Sequence, residues 1–382
     1  MLNFSKAEFE DRKKRLQARM KEENLDAVLL FAQESMYWLT GYDTFGFCFF
    51  QCLVVKSDGE MVLLTRSADL RQAQLTSTIE DIVLWIDSGH ANPARDLKAL
   101  LNDMELLGAS LGIEMDTHGL TAASWRKVEE ELNSFASLSD ASTLVHRLRL
   151  TKSKEEINHV KRAAQYADLA LDAALESSKP GVSEGTILNA MQGAIFEAGG
   201  DYPGNPFIIG SGEDALLCRY KSGRRKLQKN DQLTLEWAGV AAQYHVAMMR
   251  TLVIGKPRAE HEAMFEAARD ALLAVEAAMV PGSNFGDLFT AHAKALDAAG
   301  LSRHRLNACG YSLGARYAPS WMDGPMFYAG NPTMVEPNMT LFAHMIIMDS
   351  ESGSAMTLGQ TYLTTDGKPK CLSRHPLEIN IL

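Results

Sequence analysis

Residues 231–255, DQLTLEWAGVAAQYHVAMMRTLVIG, decide how the chain is read. Leu233 and Leu235 alternate with Thr234 and Glu236. Tyr244, Val246 and Met248 resume the alternation before Thr251-Leu-Val-Ile, which predicts two apolar strands joined by an Ala-Gly-Val-Ala-Ala-Gln turn. The result is a β-hairpin with a buried face. Period-two alternation sets Glu236 on one face with Thr234 and Ala238, and sets His245 with Ala247 opposite Tyr244 and Val246. A carboxylate, an imidazole and the Arg250 guanidinium on one sheet are costly to bury unpaired, so they satisfy one another or they serve chemistry.

On either side of the hairpin the pattern is helical. Upstream lie the strand NPFIIGSG (205–212), a helix over 183–199 closed by glycines, and a long amphipathic helix for which Ser153 offers an N-cap and Glu155 and Glu156 an acidic first turn. Downstream come helices over 259–279 and 286–300, then strand-like runs NACGYSLG, TLFAHMIIMD and AMTLGQTYLT. Paired helices with later strands indicate an α+β layer, a curved antiparallel sheet backed by helices. Residues 1 to about 140 alternate instead: a charged helix over 5–23, strand DAVLLF, strand MVLLT, helix-like RSADLRQAQL, strand IVLWI, helix PARDLKALLNDME and strand LGIEMD. That is an α/β domain. HRLRL reads as an extended connector, and the boundary falls at 148, giving domains 1–148 and 149–382.

A chain of 382 residues suits two cores. Its formal net charge of -10 leaves no basic stripe for phosphates, so nucleic acid is excluded as a partner. The lone basic cluster, Arg219 to Lys226 with Lys221, Arg224 and Arg225, is short. Five cysteines, an odd number, fit reduced thiols in a cytoplasmic protein, and Cys48 and Cys52 in their aromatic run read as buried. The 18 methionines read as core filler. No signal-peptide core and no membrane-length apolar run is present, so a soluble, cytoplasmic protein is expected.

RLRLTKSKEEINHVKRAA (147–164), FIIGSG (207–212), MMRTLVIG (248–255), GYSLG (310–314), VEPNMTLF (335–342) and TYLTTDG (361–367), in this order, resemble the superfamily of methionine aminopeptidase, prolidase, Xaa-Pro aminopeptidase and creatinase. The resemblance implies a creatinase-type amino-terminal domain followed by a pita-bread catalytic domain. The peptidases of that superfamily build a two-metal site from two aspartates, one histidine and two glutamates. At the corresponding positions this chain carries Glu236, Ala247, Tyr311 and His344, with no carboxylate at 358–360. The comparison therefore implies no catalytic metal and no cofactor. EWAGV, QYHVAMMRT, GYSLGARYAPSW, EPNMTLF and the aromatic GYDTFGF (41–47) are similar to the metal-free ectoine hydrolase branch.

That resemblance implies hydrolysis of a C–N bond in a small zwitterionic cyclic amidine, which needs a base for water and an acid for the departing nitrogen. Two alternatives stay open: a Xaa-Pro peptidase with an altered metal site, and a non-catalytic ligand-binding protein. Glu236 is the candidate base, or a nucleophile, or a strand carboxylate merely paired with Arg250. His245 is a candidate proton shuttle, or a solvated histidine on the outer hairpin face. Tyr311 is a candidate hydrogen-bond donor and His344 a candidate acid, each alternatively a packed core residue. Arg219, which replaces a substrate-facing histidine of the peptidases in LCRYKSG, and Arg250 are candidates for a substrate carboxylate. Tyr42, Phe45 and Phe47 could stack on a cationic ring, and Trp321 could shape the pocket. By resemblance the chain forms a homodimer whose amino-terminal domain reaches the neighbouring active site.

Overall fold

Two units meet in sequence between Arg149 and Leu150, and the structure, a computed structural model, describes residues 2–219 and 223–382. Lys221 of the basic cluster lies outside the described residues.

The first unit runs α1 (Lys6–Glu22), β1 (Ala27–Leu30), α2 (Gln33–Thr40), β2 (Cys52–Lys56), β3 (Met61–Arg66), α3 (Leu70–Thr76), β4 (Asp81–Trp85), α4 (Pro93–Asp103), β5 (Ser110–Ile113), α5 (Ala122–Leu132), β6 (Ser137–Asp140) and α6 (Ser142–Leu150). Its sheet has the order β4-β3-β2-β1-β5-β6. Strand β1 pairs antiparallel with β2 and parallel with β5. Ala27 and Leu29 enter one apolar core with α4 and α5, and Val28 and Leu30 enter a second with α1 and α6. With both faces covered, the strand reads as a continuous apolar run. Three sequence expectations need correction here. HRLRL is helical, because the Asp140 carboxylate accepts the amide of Ser142 at 2.9 Å and starts α6, whose Leu144, Val145 and Arg149 are buried. The pair α5 and β6 escaped the reading. Cys48 is exposed, and only Cys52 of that pair is buried.

The second unit runs α7 (Lys154–Ser177), α8 (Glu184–Glu197), β7 (Ile208–Ser211), β8 (Asp231–Ala241), β9 (Tyr244–Ile254), α9 (Ala259–Ala278), α10 (Phe285–Ala298), β10 (Ala308–Ser312), β11 (Asp323–Tyr328), β12 (Thr340–Asp349) and β13 (Ser354–Leu363). Along the path β11-β10-β12-β13-β9-β8-β7 each neighbouring pair is antiparallel. Strand β11 was not anticipated. Ser153 caps α7, accepting the amide of Glu156, whose carboxylate in turn accepts the amide of Ser153.

The hairpin turn is tighter than the sequence suggested. The ladder continues from Asp231↔Ile254 to Ala241↔Tyr244, leaving only Ala242 (φ 50°) and Gln243 (φ 65°) in the turn, the two positive-φ positions of a type I′ turn. Ala238 to Ala241 are strand despite their small side chains because α7 lies directly on them. A Cβ on Gly239 would sit 2.1 Å from the Ala163 carbonyl oxygen. The Trp237 indole donates to the Ala167 carbonyl at 2.9 Å, and Tyr244 donates to Glu156 at 2.6 Å. Helices α9 and α10 cover the same side of the sheet, where Met345, Ile347, Met356 and Leu358 join their apolar faces. The opposite side, with Glu236, stays free for chemistry. Among the described residues no helix is long and apolar enough to cross a membrane.

Gly239→Ala is expected to lower the unfolding free energy by at least about 2 kcal/mol, since backbone atoms of α7 block the new methyl. Gly193→Ala, in α8 with nothing within 4 Å of the new methyl, is expected to raise it by about 0.5–1 kcal/mol. Urea unfolding of both variants measures the contrast.

Candidate active site

The ladder places the candidate residues on one surface. Glu236 faces Ile208 on β7 and Met249 on β9; Met249 faces Gly359, Gly359 faces His344, and Phe342 faces Tyr311. From β8 to β10 is four strand spacings, roughly 19 Å on a flat sheet. Two side chains cover only part of that span. Yet the Tyr311 hydroxyl donates to Glu236 Oε1 at 3.2 Å, so the sheet curls and this surface is its concave side.

Glu236 keeps a partly exposed edge, but protein surrounds it closely enough that burial pushes its carboxyl up to about 7, with the Tyr311 hydrogen bond and the Arg219 charge opposing the rise. Trp321, 1% exposed, donates from its indole Nε1 to the Tyr311 hydroxyl at 3.0 Å, and its backbone amide donates to Asn205 Oδ1. With the indole on its acceptor side, the phenol turns its own proton toward Glu236. Burial, and then the neighbouring Glu236 charge, hold Tyr311 well above its usual range, so it stays a donor at neutral pH.

His344 lies 5.7 Å from the Tyr311 ring, centroid to centroid. Burial drops it to about 3, helped by His292 and Arg219, so its imidazole is neutral. Arg219 stands in an exposed turn, and its charge reaches Glu236, Tyr311 and His344.

The other candidates sit elsewhere. His245 shares the Glu236 face but pairs with Val240, four residues along, or about 13 Å away. It is fully buried rather than solvated, its Nε2 accepts the Gly204 amide at 2.9 Å, and burial lowers it to about 4. It anchors a loop instead of shuttling protons to Glu236. Arg250 pairs with Leu235 and so lies on the helix-covered face, where it donates to the carbonyls of Met249 and Gly359, both at 2.8 Å. It cannot be the partner of Glu236. Tyr42 and Phe47 are buried in the first unit, where Tyr42 bonds to Gln51 and burial raises it to about 12; Phe45 is 77% exposed. Sequence reasoning also passed over a small pocket beside Glu236, formed by Ile208, Leu217, Cys218, Met249, Ile346 and Met348. The alternation through His344, Ile346 and Met348 was the signal that could have found it.

Comparison with known proteins supplies the lineage. Residues 158–366 match the model of metallopeptidase family M24, and residues 12–151 match the creatinase/prolidase N-terminal domain. The ectoine hydrolase of Halomonas elongata is 28% identical over 89% of both chains, and an uncharacterised hydrolase/peptidase of Sinorhizobium fredii is 26% identical over 99% of this chain and 98% of that one. Among solved structures, a prolidase from Thermococcus sibiricus superposes with TM-score 0.88 at 20% identity, covering 98% of this chain and 99% of that one. A Xaa-Pro dipeptidase from Bacillus anthracis gives 0.85 at 20% identity, covering 98% and 100%. At that identity the structural likeness speaks for the fold.

The ion pair that a metallopeptidase family implies does not fit these residues. This surface carries one carboxylate, Glu236, with the Tyr311 phenol bonded to it and the His344 imidazole beside that phenol, and the pair two steps along the ladder is Ala238 with Ala247, two methyl groups. Among the described residues no three His, Cys, Asp or Glu side chains converge to hold an ion.

Because the folded Glu236 holds its proton up to about pH 7 and the unfolded one only to about 4.5, the folded chain binds more protons between these values and loses stability as pH rises through them. Glu236→Gln removes that loss. Its stability relative to wild type is expected to be on the order of 2 kcal/mol more favourable at pH 8 than at pH 4 by urea unfolding. Tyr311→Phe, which deletes a donor to the ionised carboxylate, should raise the Glu236 midpoint further, measurable by infrared difference titration against Glu236→Gln.

Proposed function

The chain belongs to metallopeptidase family M24, and from that premise we propose that it is a metal-independent hydrolase opening a carbon–nitrogen bond in a small zwitterionic cyclic amidine of the ectoine type. The observation that carries the reading is the Tyr311–Glu236 hydrogen bond at 3.2 Å, a phenol–carboxylate pair on a surface where the described residues form no metal-ligand set.

A carboxyl near 7 is partly ionised and partly protonated at neutral pH, so one group serves as base and then as acid. Ionised Glu236 takes a proton from water as its oxygen adds to the amidinium carbon. The resulting tetrahedral carbon is neutral. The proton then passes from Glu236 to the departing ring nitrogen, the C–N bond breaks, and the hydroxyl proton left on the carbon is taken by the ionised Glu236 and handed to the freed amine, so that the products are an amide and an ammonium. Tyr311 keeps its proton and steadies the carboxylate while it is charged. Neutral His344 contributes a hydrogen bond, not an imidazolium proton. Arg219, exposed beside the cleft, is the group suited to a substrate carboxylate. In this reading the chain works as a homodimer, and the exposed Phe45 of one copy is offered to its partner.

Purified protein mixed with ectoine is expected to release N-acetyl-diaminobutyrate by mass spectrometry, and Glu236→Gln to lower the rate by about 10²–10⁴. Cleavage of Xaa-Pro dipeptides without ectoine turnover would assign a peptidase instead, and turnover of neither would leave a ligand-binding protein.

A further inference from the structure

The mechanism leaves His245 unused, and stability alone does not explain it. Its Nε2 accepts the Gly204 amide at 2.9 Å, so the proton of the neutral ring sits on Nδ1. That Nδ1 is fully buried and meets no hydrogen-bond partner among the described residues. An orphaned buried N–H carries a desolvation cost that an apolar side chain of similar bulk does not. The imidazole is therefore kept for what its Nε2 holds. Burial lowers it to about 4, so at neutral pH the accepting form is the one present.

What it holds is the loop behind the phenol. Gly204 lies so close on the Ser320–Trp321 peptide that a Cβ there would stand 2.8 Å from the Ser320 carbonyl carbon and from the Trp321 nitrogen. The next residue, Asn205, accepts the Trp321 amide through Oδ1 at 3.1 Å. Trp321 donates its indole Nε1 to the Tyr311 hydroxyl at 3.0 Å, and that hydroxyl donates to Glu236 at 3.2 Å. An unbroken line of contacts thus runs from His245 to a carboxylate about 13 Å away along the ladder.

We infer that His245 is a positioning residue for the Tyr311–Glu236 pair: as an acceptor it fixes the 204–205 loop, the loop fixes Trp321, and Trp321 fixes the direction in which the phenol points its proton. The role takes its working pair from the hydrolase reading above, yet it is read on the resting protein, without substrate.

His245→Leu removes the acceptor, with His245→Phe in its place should the first not fold, and His245→Gln sets an amide oxygen near the position of Nε2. Asn205→Ala, in a half-buried stretch, cuts the line one step further on. Two measurements follow the far end: the Glu236 midpoint by infrared difference titration, and hydrogen exchange of the Trp321 indole by NMR, assigned with Trp321→Phe. The acceptor-free variants and Asn205→Ala are each expected to raise the midpoint, in the direction of Tyr311→Phe, and to speed indole exchange on the order of tenfold, as loss of one hydrogen bond does. His245→Gln is expected to stay close to wild type in both. Added to Tyr311→Phe, the acceptor-free variant should raise the midpoint no further, because it acts through the phenol. A wild-type midpoint in the acceptor-free variant or in Asn205→Ala, whatever the melting temperature, would overturn the role, as would His245→Gln behaving like His245→Leu or a further rise in the double variant. The expected shifts without ectoine turnover leave the positioning role standing and remove the hydrolase reading. Ectoine turnover with a wild-type midpoint in the acceptor-free variant does the reverse.

Discussion

The hydrogen bond between Tyr311 and Glu236 is the constraint on which the second unit turns. It joins strands four places apart in the sheet order, so it forms only if the sheet curls, and the curl is what turns a row of alternating side chains into a cleft. The same contact sets the electrostatics. A carboxyl enclosed by Ile208, Met249 and the phenol resists ionising, and the phenol's proton, oriented by the Trp321 indole, offsets part of that resistance. The balance leaves Glu236 near neutrality, where proton transfer in either direction costs least.

The remaining architecture keeps that arrangement rigid. Helix α7 sits close on β8 because Gly239 and a row of alanines let it, and Trp237 and Tyr244 tie sheet to helix by hydrogen bonds. His245 holds the Gly204 loop from below through its neutral Nε2, and Asn205 from that loop meets Trp321, which meets Tyr311. A histidine expected to move protons thus belongs to the chain of contacts that positions the phenol. Arg250, fully buried, is spent on two backbone carbonyls between β9 and β13.

Much of this was legible in the sequence where periodicity was long. The hairpin, the Ser153 cap and the helices behind the sheet were readable because each repeats its pattern over many residues or carries a distinctive end. Strand parity sorted the side chains within each strand, but only the register set by the two-residue turn brings His245 to the face of Glu236, and four residues of separation keep the two apart. The same register puts Arg250 on the other face and removes the pair with Glu236 that the sequence left open. The convergence of Tyr311, His344 and Trp321 was not legible from spacing, because it arises from the curl of a sheet whose strands lie far apart in sequence. Strands β6 and β11 escaped for the opposite reason, having too few residues to declare a period, and α5, as long as α4, escaped because it buries only Val128 and Leu132.

The central claim is that organic side chains stand where the wider family implies metal ions, and that the Tyr311–Glu236 pair suffices for the chemistry. Elemental analysis of the purified protein, with ectoine turnover assayed before and after exhaustive chelation, is the decisive measurement. The account predicts no stoichiometric divalent metal and an unchanged rate after chelation. Two tightly held ions per chain, with activity lost on their removal and restored on their return, would contradict it.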